Sequence, residues 1–204
     1  MVLAPLRSAA AAITVLVTGA FIVCTQSECA PPAWELRTLE WFAAQRLPAL
    51  DALFVTVTWL GSLWLLLPLA LALVAAQVAG GHGANAVRFA AAFGGPVALA
   101  YLAKSLTVRA RPTVLEPLVA MPGDSSFPSG HAMQITAFAL AAILTLAQPA
   151  QRGRWLALAL IAIVLVGTSR LYLQVHFPSD VLAGTAAAAL WVFGFAAANK
   201  GRHA

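Results

Sequence analysis

Six stretches of this sequence contain no Asp, Glu, Lys or Arg: residues 8–27, 52–81, 89–103, 132–151, 155–169 and 181–199. Nothing else in the chain limits its possible folds so sharply. A helix needs about 20 apolar residues to cross the hydrocarbon core of a bilayer, with roughly 17–25 tolerated. Helices suit that solvent because they satisfy their own backbone N–H and C=O groups. The two shortest stretches, 89–103 and 155–169, reach the length if flanking Arg88, Lys104, Arg154 and Arg170 lie near the membrane surfaces, where long cationic side chains snorkel. The chain is 61% hydrophobic and 9% charged, against about 25% charged in a soluble domain. Too few polar side chains remain to cover a globule in water. The expected fold is all-α: an integral membrane bundle of six transmembrane helices, forming a single domain over residues 1–204.

Alternate threading from a cytoplasmic N-terminus puts Arg7, Arg88, Arg152, Arg154, Lys200 and Arg202 inside, and all seven acids outside. Arg37, Arg46, Lys104, Arg109, Arg111 and Arg170 also fall outside, so a bare count of cations is even and the positive-inside rule decides little by itself. Four of those outside cations (Lys104, Arg109, Arg111 and Arg170) sit beside polar clusters, where chemistry explains them. The reading is therefore N-in, C-in. The first span is read as retained rather than cleaved as a signal peptide, because it is long and its cleavage signal poor. Cys24 and Cys29 fit either a disulfide in an oxidising compartment or two separate thiols. Residues 25–50 fit an amphipathic helix at the interface, with tryptophans at headgroup depth, or a plain connecting loop. No basic helix or aromatic-interleaved patch suggests nucleic acid, and nothing indicates the oligomeric state.

Three polar clusters stand at the outer ends of these spans. The first is Lys104 with Arg111-Pro112, the second Pro128-Ser129-Gly130-His131, the third Ser169-Arg170 followed by His176 and Asp180. Alternate threading brings the end of span three, the start of four, the end of five and the start of six to one face. Lys104, Arg111 and Arg170 offer three cations, and guanidinium groups bind phosphate oxygens bidentately. Ser129-Gly130 opens a helix, whose free N–H groups and dipole favour a phosphate. A histidine can act as nucleophile when a neighbour fixes its tautomer, and a tight helix start at Phe177-Pro178-Ser179 would let Asp180 do so for His176. The second histidine, His131, can protonate a leaving oxygen.

The clusters resemble the three signature motifs of the type 2 phosphatidic acid phosphatase superfamily. Those read Lys, six residues, Arg-Pro; then Pro-Ser-Gly-His; then Ser-Arg, five residues, His, three residues, Asp. Residues 104–180 match in type and spacing without departure. The resemblance implies that His176 attacks phosphorus and becomes phosphorylated, that Asp180 orients it, and that His131 protonates the leaving group. It implies that Lys104, Arg111, Ser129, Gly130 and Arg170 hold the phosphoryl oxygens. It further implies a membrane lipid phosphate or diphosphate as substrate, no metal and no other cofactor, and an active site on the outer face of the inner (plasma) membrane. A phosphotransferase using the same phosphohistidine is the nearest alternative. A small transporter is the more distant one, and spans two, three and six carry too few polar residues for it.

Other polar residues are read more plainly. Arg109 would bind a second phosphate or a headgroup, and Asp124 and Glu116 would be solvated loop acids. Tyr172 would pack at the interface or line the site. His82 and His203 would be uninvolved, and Gln134 and Thr136 would link helices by hydrogen bonds.

Overall fold

Helix boundaries fall where the local chemistry sets them. Pro48 and Pro178 occupy first-turn positions, where a missing N–H costs nothing. Ser62 caps the helix that follows it, its Oγ accepting from Trp64 N at 3.3 Å. Gly81, at φ 76°, turns the chain after another helix. The structure, a computed structural model, describes residues 3–24 and 31–200. It contains eight α-helices among the described residues: α1 (Leu3–Cys24), α2 (Ala33–Ala44), α3 (Pro48–Val57), α4 (Leu63–Ala79), α5 (Gly83–Leu106), α6 (Gly130–Leu146), α7 (Arg152–Tyr172) and α8 (Pro178–Lys200). No strand occurs among the described residues. The pairing of Cys24 with Cys29, and His203, lie outside them.

The charge-free stretches centre on α1, α3–α4, α5, α6, α7 and α8. Among the described residues three helical runs, Pro48–Ala79, Gly83–Leu106 and Pro149–Tyr172, are long and apolar enough to cross a membrane. Leu6–Ile22 and Gly130–Leu146 are shorter apolar helices. The second stretch differs from the single continuous helix expected of it. A 3-10 turn at Thr58–Gly61 separates α3 from α4, and Ser62 is extended there (φ −76°, ψ 135°). The break brings Thr58 Oγ1 to Arg170, which donates to it from Nη1 at 2.5 Å.

Helix α6 is the hub, touching α4, α5, α7 and α8, while α1 runs along α8. Phe138 of α6 meets Phe89 and Phe93 of α5 edge-on, with ring centroids 5.7 Å apart in each pair. Leu71 of α4 and Leu160 of α7 instead point outward and stay exposed. Lipid tails are as apolar as leucine, so helices associate through close packing, and small residues permit it. Gly184 of α8 is the clearest case: a Cβ there would lie 2.9 Å from the Ser129 carbonyl oxygen and 3.0 Å from Met133 Cγ. Backbone cannot yield as a flexible side chain can. Gly184→Val is therefore expected to lower stability by about 1–3 kcal/mol through overpacking, read as a lower thermal midpoint in detergent.

The polar segment before α3 does form a helix. In α2, Trp34 and Trp41 are exposed, while Glu35 and Leu39 face inward and are fully buried.

Candidate active site

Four chain segments converge on a cavity of about 330 Å³. The end of α5 supplies Lys104, the 107–129 loop Arg111, the start of α6 Gly130 and His131, and the end of α7 and the turn after it Arg170 and His176. Ser129 and Asp180 stand immediately behind this wall. Both are fully buried, and Ser129 N donates to the Asp180 carbonyl at 3.0 Å. All eight residues singled out in the sequence therefore belong to one neighbourhood. The cavity wall also includes Ser62, Trp64, Tyr101, Asp124 and Gln134.

His176 owes its place to a compact turn. Gln174 adopts a left-handed backbone (φ 59°), Val175 N donates to the Arg170 carbonyl at 3.2 Å, and Asp180 N donates to the Phe177 carbonyl at 3.1 Å. The tight start of α8 then puts Asp180 Oδ2 3.4 Å from His176 Nδ1. Oδ2 also accepts from Ser126 Oγ at 2.5 Å and from Phe177 N at 2.8 Å, and Oδ1 accepts from Arg109. A carboxylate on Nδ1 holds the proton there and leaves the lone pair on Nε2. Nε2 lies 3.4 Å from Arg111 Nη1. Burial pushes the His176 imidazole down to about 4, against the pull of Asp180 and with Arg170 and Arg111 adding to the fall. That shift favours the uncharged ring at neutral pH.

The cations are held from behind. Lys104 Nζ donates to the Ser125 carbonyl at 2.5 Å. Arg111 donates from Nη1 to the Val175 carbonyl at 2.7 Å and from Nε to the Asp124 carbonyl at 3.2 Å. Arg170 is buried rather than snorkelling to a membrane surface, because Thr58 offers it an acceptor in the helix break. Two donors beside the cavity lack any hydrogen-bond partner: Arg170 Nε and Ser129 Oγ. Buried polar groups are rarely left so, and an anion would satisfy both.

Three expectations about the other polar residues need correction. Asp124 is not simply solvated: its carboxylate lies 3.2 Å from Lys104 Nζ and 2.5 Å from Arg111 Nη2. Burial pushes that carboxyl up, but Arg111 and Lys104 outweigh it and hold the group below its ordinary range. Arg109 does not reach a ligand. It is buried and paired with Glu35 and Asp180, because the 107–111 limb is fixed against 125–127 by Thr107 and Ser126. Gln134 and Thr136 make no interhelical bond, Gln134 Oε1 and Thr136 Oγ1 being buried without partners. Tyr172 packs on Phe54 at 4.5 Å and donates to Asp51 at 2.5 Å, away from the cavity. Glu116 is exposed, as expected. Sequence reasoning missed Glu35, Thr58, Tyr101 and Ser126. Only Glu35 left a trace, as an acid one turn from Leu39 on the inward face of α2.

Known proteins share this fold. An undecaprenyl-diphosphatase of Sulfolobus acidocaldarius is 42% identical over 71 residues, 35% of this chain, and that match spans only 31% of the relative's length. The crystal structure of a transmembrane PAP2 type phosphatidylglycerolphosphate phosphatase from Bacillus subtilis superposes with a TM-score of 0.80 at 26% identity, covering 95% of this chain and 96% of that one. LpxE of Aquifex aeolicus shares the fold, with a TM-score of 0.67 at 24% identity over 81% of this chain and 96% of its own. The family model of the PAP2 superfamily matches residues 8–203. This multi-pass membrane protein belongs to the PAP2 superfamily.

Proposed function

We propose that the protein is a membrane lipid phosphatase that hydrolyses a lipid phosphate or diphosphate through a phosphohistidine at His176. The observation that carries this reading is the His176 ring. It is braced on Nδ1 by Asp180, with Nε2 beside Arg111 in a cavity that also holds Lys104, His131 and Arg170.

In the first step the Nε2 lone pair attacks phosphorus, and a P–N bond forms as the P–O bond to the lipid breaks. The leaving oxygen keeps the bonding electrons and takes a proton from His131. Asp180 stabilises the positive charge that grows on the ring. Lys104, Arg111, Arg170, Ser129 and the N–H groups at Gly130 hold the phosphoryl oxygens, whose charge is best stabilised by donors already in place. In the second step water attacks phosphorus and gives a proton to His131 as the P–N bond breaks; its electron pair returns to Nε2, inorganic phosphate leaves and His176 is restored.

No metal enters these steps, and among the described residues no group of three or more His, Cys, Asp or Glu side chains could hold one. The names of the relatives, an undecaprenyl-diphosphatase and a phosphatidylglycerolphosphate phosphatase, point to an isoprenoid diphosphate or a glycerophospholipid phosphate. The charge distribution supports an active site on the outer face of the inner (plasma) membrane. Purified protein in detergent is expected to release phosphate from undecaprenyl diphosphate, phosphatidylglycerol phosphate or phosphatidic acid, undiminished by excess chelator. Release from none of the three would overturn the assignment. Loss with chelator, restored by one divalent ion, would replace it with metal-assisted hydrolysis.

A further inference from the structure

Arg109 stands two residues before Arg111, yet it serves the interior. Its Nη1 donates to Asp180 Oδ1 and, at 2.8 Å, to Ser179 Oγ, while its Nη2 donates to Glu35 Oε2. The guanidinium carbon lies 4.3 Å over the Phe177 ring. Glu35 uses its other oxygen as well, Oε1 accepting from Ser179 N at 3.0 Å. One turn further along α2, the Leu39 carbonyl accepts from Gln174 Nε2 at 3.0 Å. Helix α2 therefore grips the chain at residues 174 and 179, on either side of His176.

The charges give this arrangement a second consequence. Glu35 and Asp180 are both fully buried, and a buried carboxylate is tolerated only when paired. Two carboxylates share one guanidinium, so Arg109 does not cancel the charge of Asp180. That charge stays available to His176. With Glu35 gone, Arg109 would face Asp180 alone and neutralise it, and the turn would lose an anchor.

We propose that Glu35 is a positioning residue for the reaction, acting through Arg109 on Asp180 and through α2 on the turn that carries His176. The inference rests on His176 being the nucleophile. It makes the interfacial helix part of the catalytic apparatus rather than only a membrane anchor.

The test uses the full-length protein in detergent, with kcat, KM and thermal midpoint measured for each variant. Glu35→Ala is expected to lower kcat about 10²-fold, the scale of a small misplacement of reacting groups, with KM little changed. Glu35→Gln, which offers one carbonyl oxygen where the carboxylate offered two, is expected to fall between Glu35→Ala and wild type. The double variant Glu35→Leu, Arg109→Met separates the two routes, because Arg109 can no longer neutralise Asp180 while the Glu35 anchor on Ser179 N is still missing. Its kcat is expected above that of Glu35→Ala and below that of wild type. Wild-type kcat in the double variant, or in Glu35→Ala and Glu35→Gln, would overturn the proposal. Substantial turnover by His176→Ala would instead overturn the reading on which it rests.

Discussion

His176→Ala is expected to lose essentially all turnover while still inserting and folding. Asp180 would keep Ser126, Phe177 N and Arg109 as donors, so removing the ring leaves no buried charge unpaired. His131, the other histidine of the cavity, serves the leaving group in this reading, and uncatalysed phosphate-ester hydrolysis is among the slowest reactions known. A variant retaining more than about a tenth of wild-type activity, a loss of only ~1.4 kcal/mol, would contradict a phosphohistidine intermediate. Phosphate release over a long incubation, against a blank without protein, gives the needed range.

The expected effect of His131→Ala depends on what must leave. A lipid alkoxide is a poor leaving group without a proton, so cleavage of a lipid phosphate should fall by about 10²–10⁴-fold, the usual worth of general acid catalysis. A nitrophenyl phosphate departs as a stabilised phenolate and needs no proton. With that substrate the first turnover should recover most of the loss. His176→Ala should recover nothing with either substrate, because a good leaving group does not substitute for a nucleophile. Rapid-quench measurement of the first turnover, on both substrates and both variants, distinguishes the roles. Recovery in His176→Ala alone would exchange them.

The convergence of the site was legible in the sequence because membrane helices leave the chain few choices. Once alternate threading is accepted, the ends of α5 and α7 and the starts of α6 and α8 must share a face, whatever the loops between them do. The His176–Asp180 contact was legible for a local reason, since Pro178 fixes a tight helix start. Longer-range pairings were not. Arg109 and Glu35 are 74 residues apart in sequence, and their meeting depends on how α2 docks, which no periodicity records. Asp124 read as a solvated loop acid because loops usually run over the surface. Its two partners become visible only when the 107–129 loop folds back over Lys104. The break at Thr58–Gly61 was hidden for another reason. Helical patterning shows as contrast between faces, and the run from 52 to 81 is apolar on all of them.

That break also sets a depth. Helix α4 begins just past it and has 17 residues, about 25 Å at 1.5 Å each, close to the ~30 Å hydrocarbon thickness of a bilayer. Ser62 and Trp64, at that end of α4, line the cavity, and Trp64 is 85% exposed, as suits an aromatic ring at headgroup level. With that end of α4 at headgroup level, the cavity would open at the height where a lipid already carries its phosphate. Drawing a chain out of the bilayer costs about 0.8 kcal/mol per methylene, so five methylenes would cost about 4 kcal/mol. A substrate met at its resting height incurs none of this, and two-dimensional diffusion along the membrane is enough to deliver it.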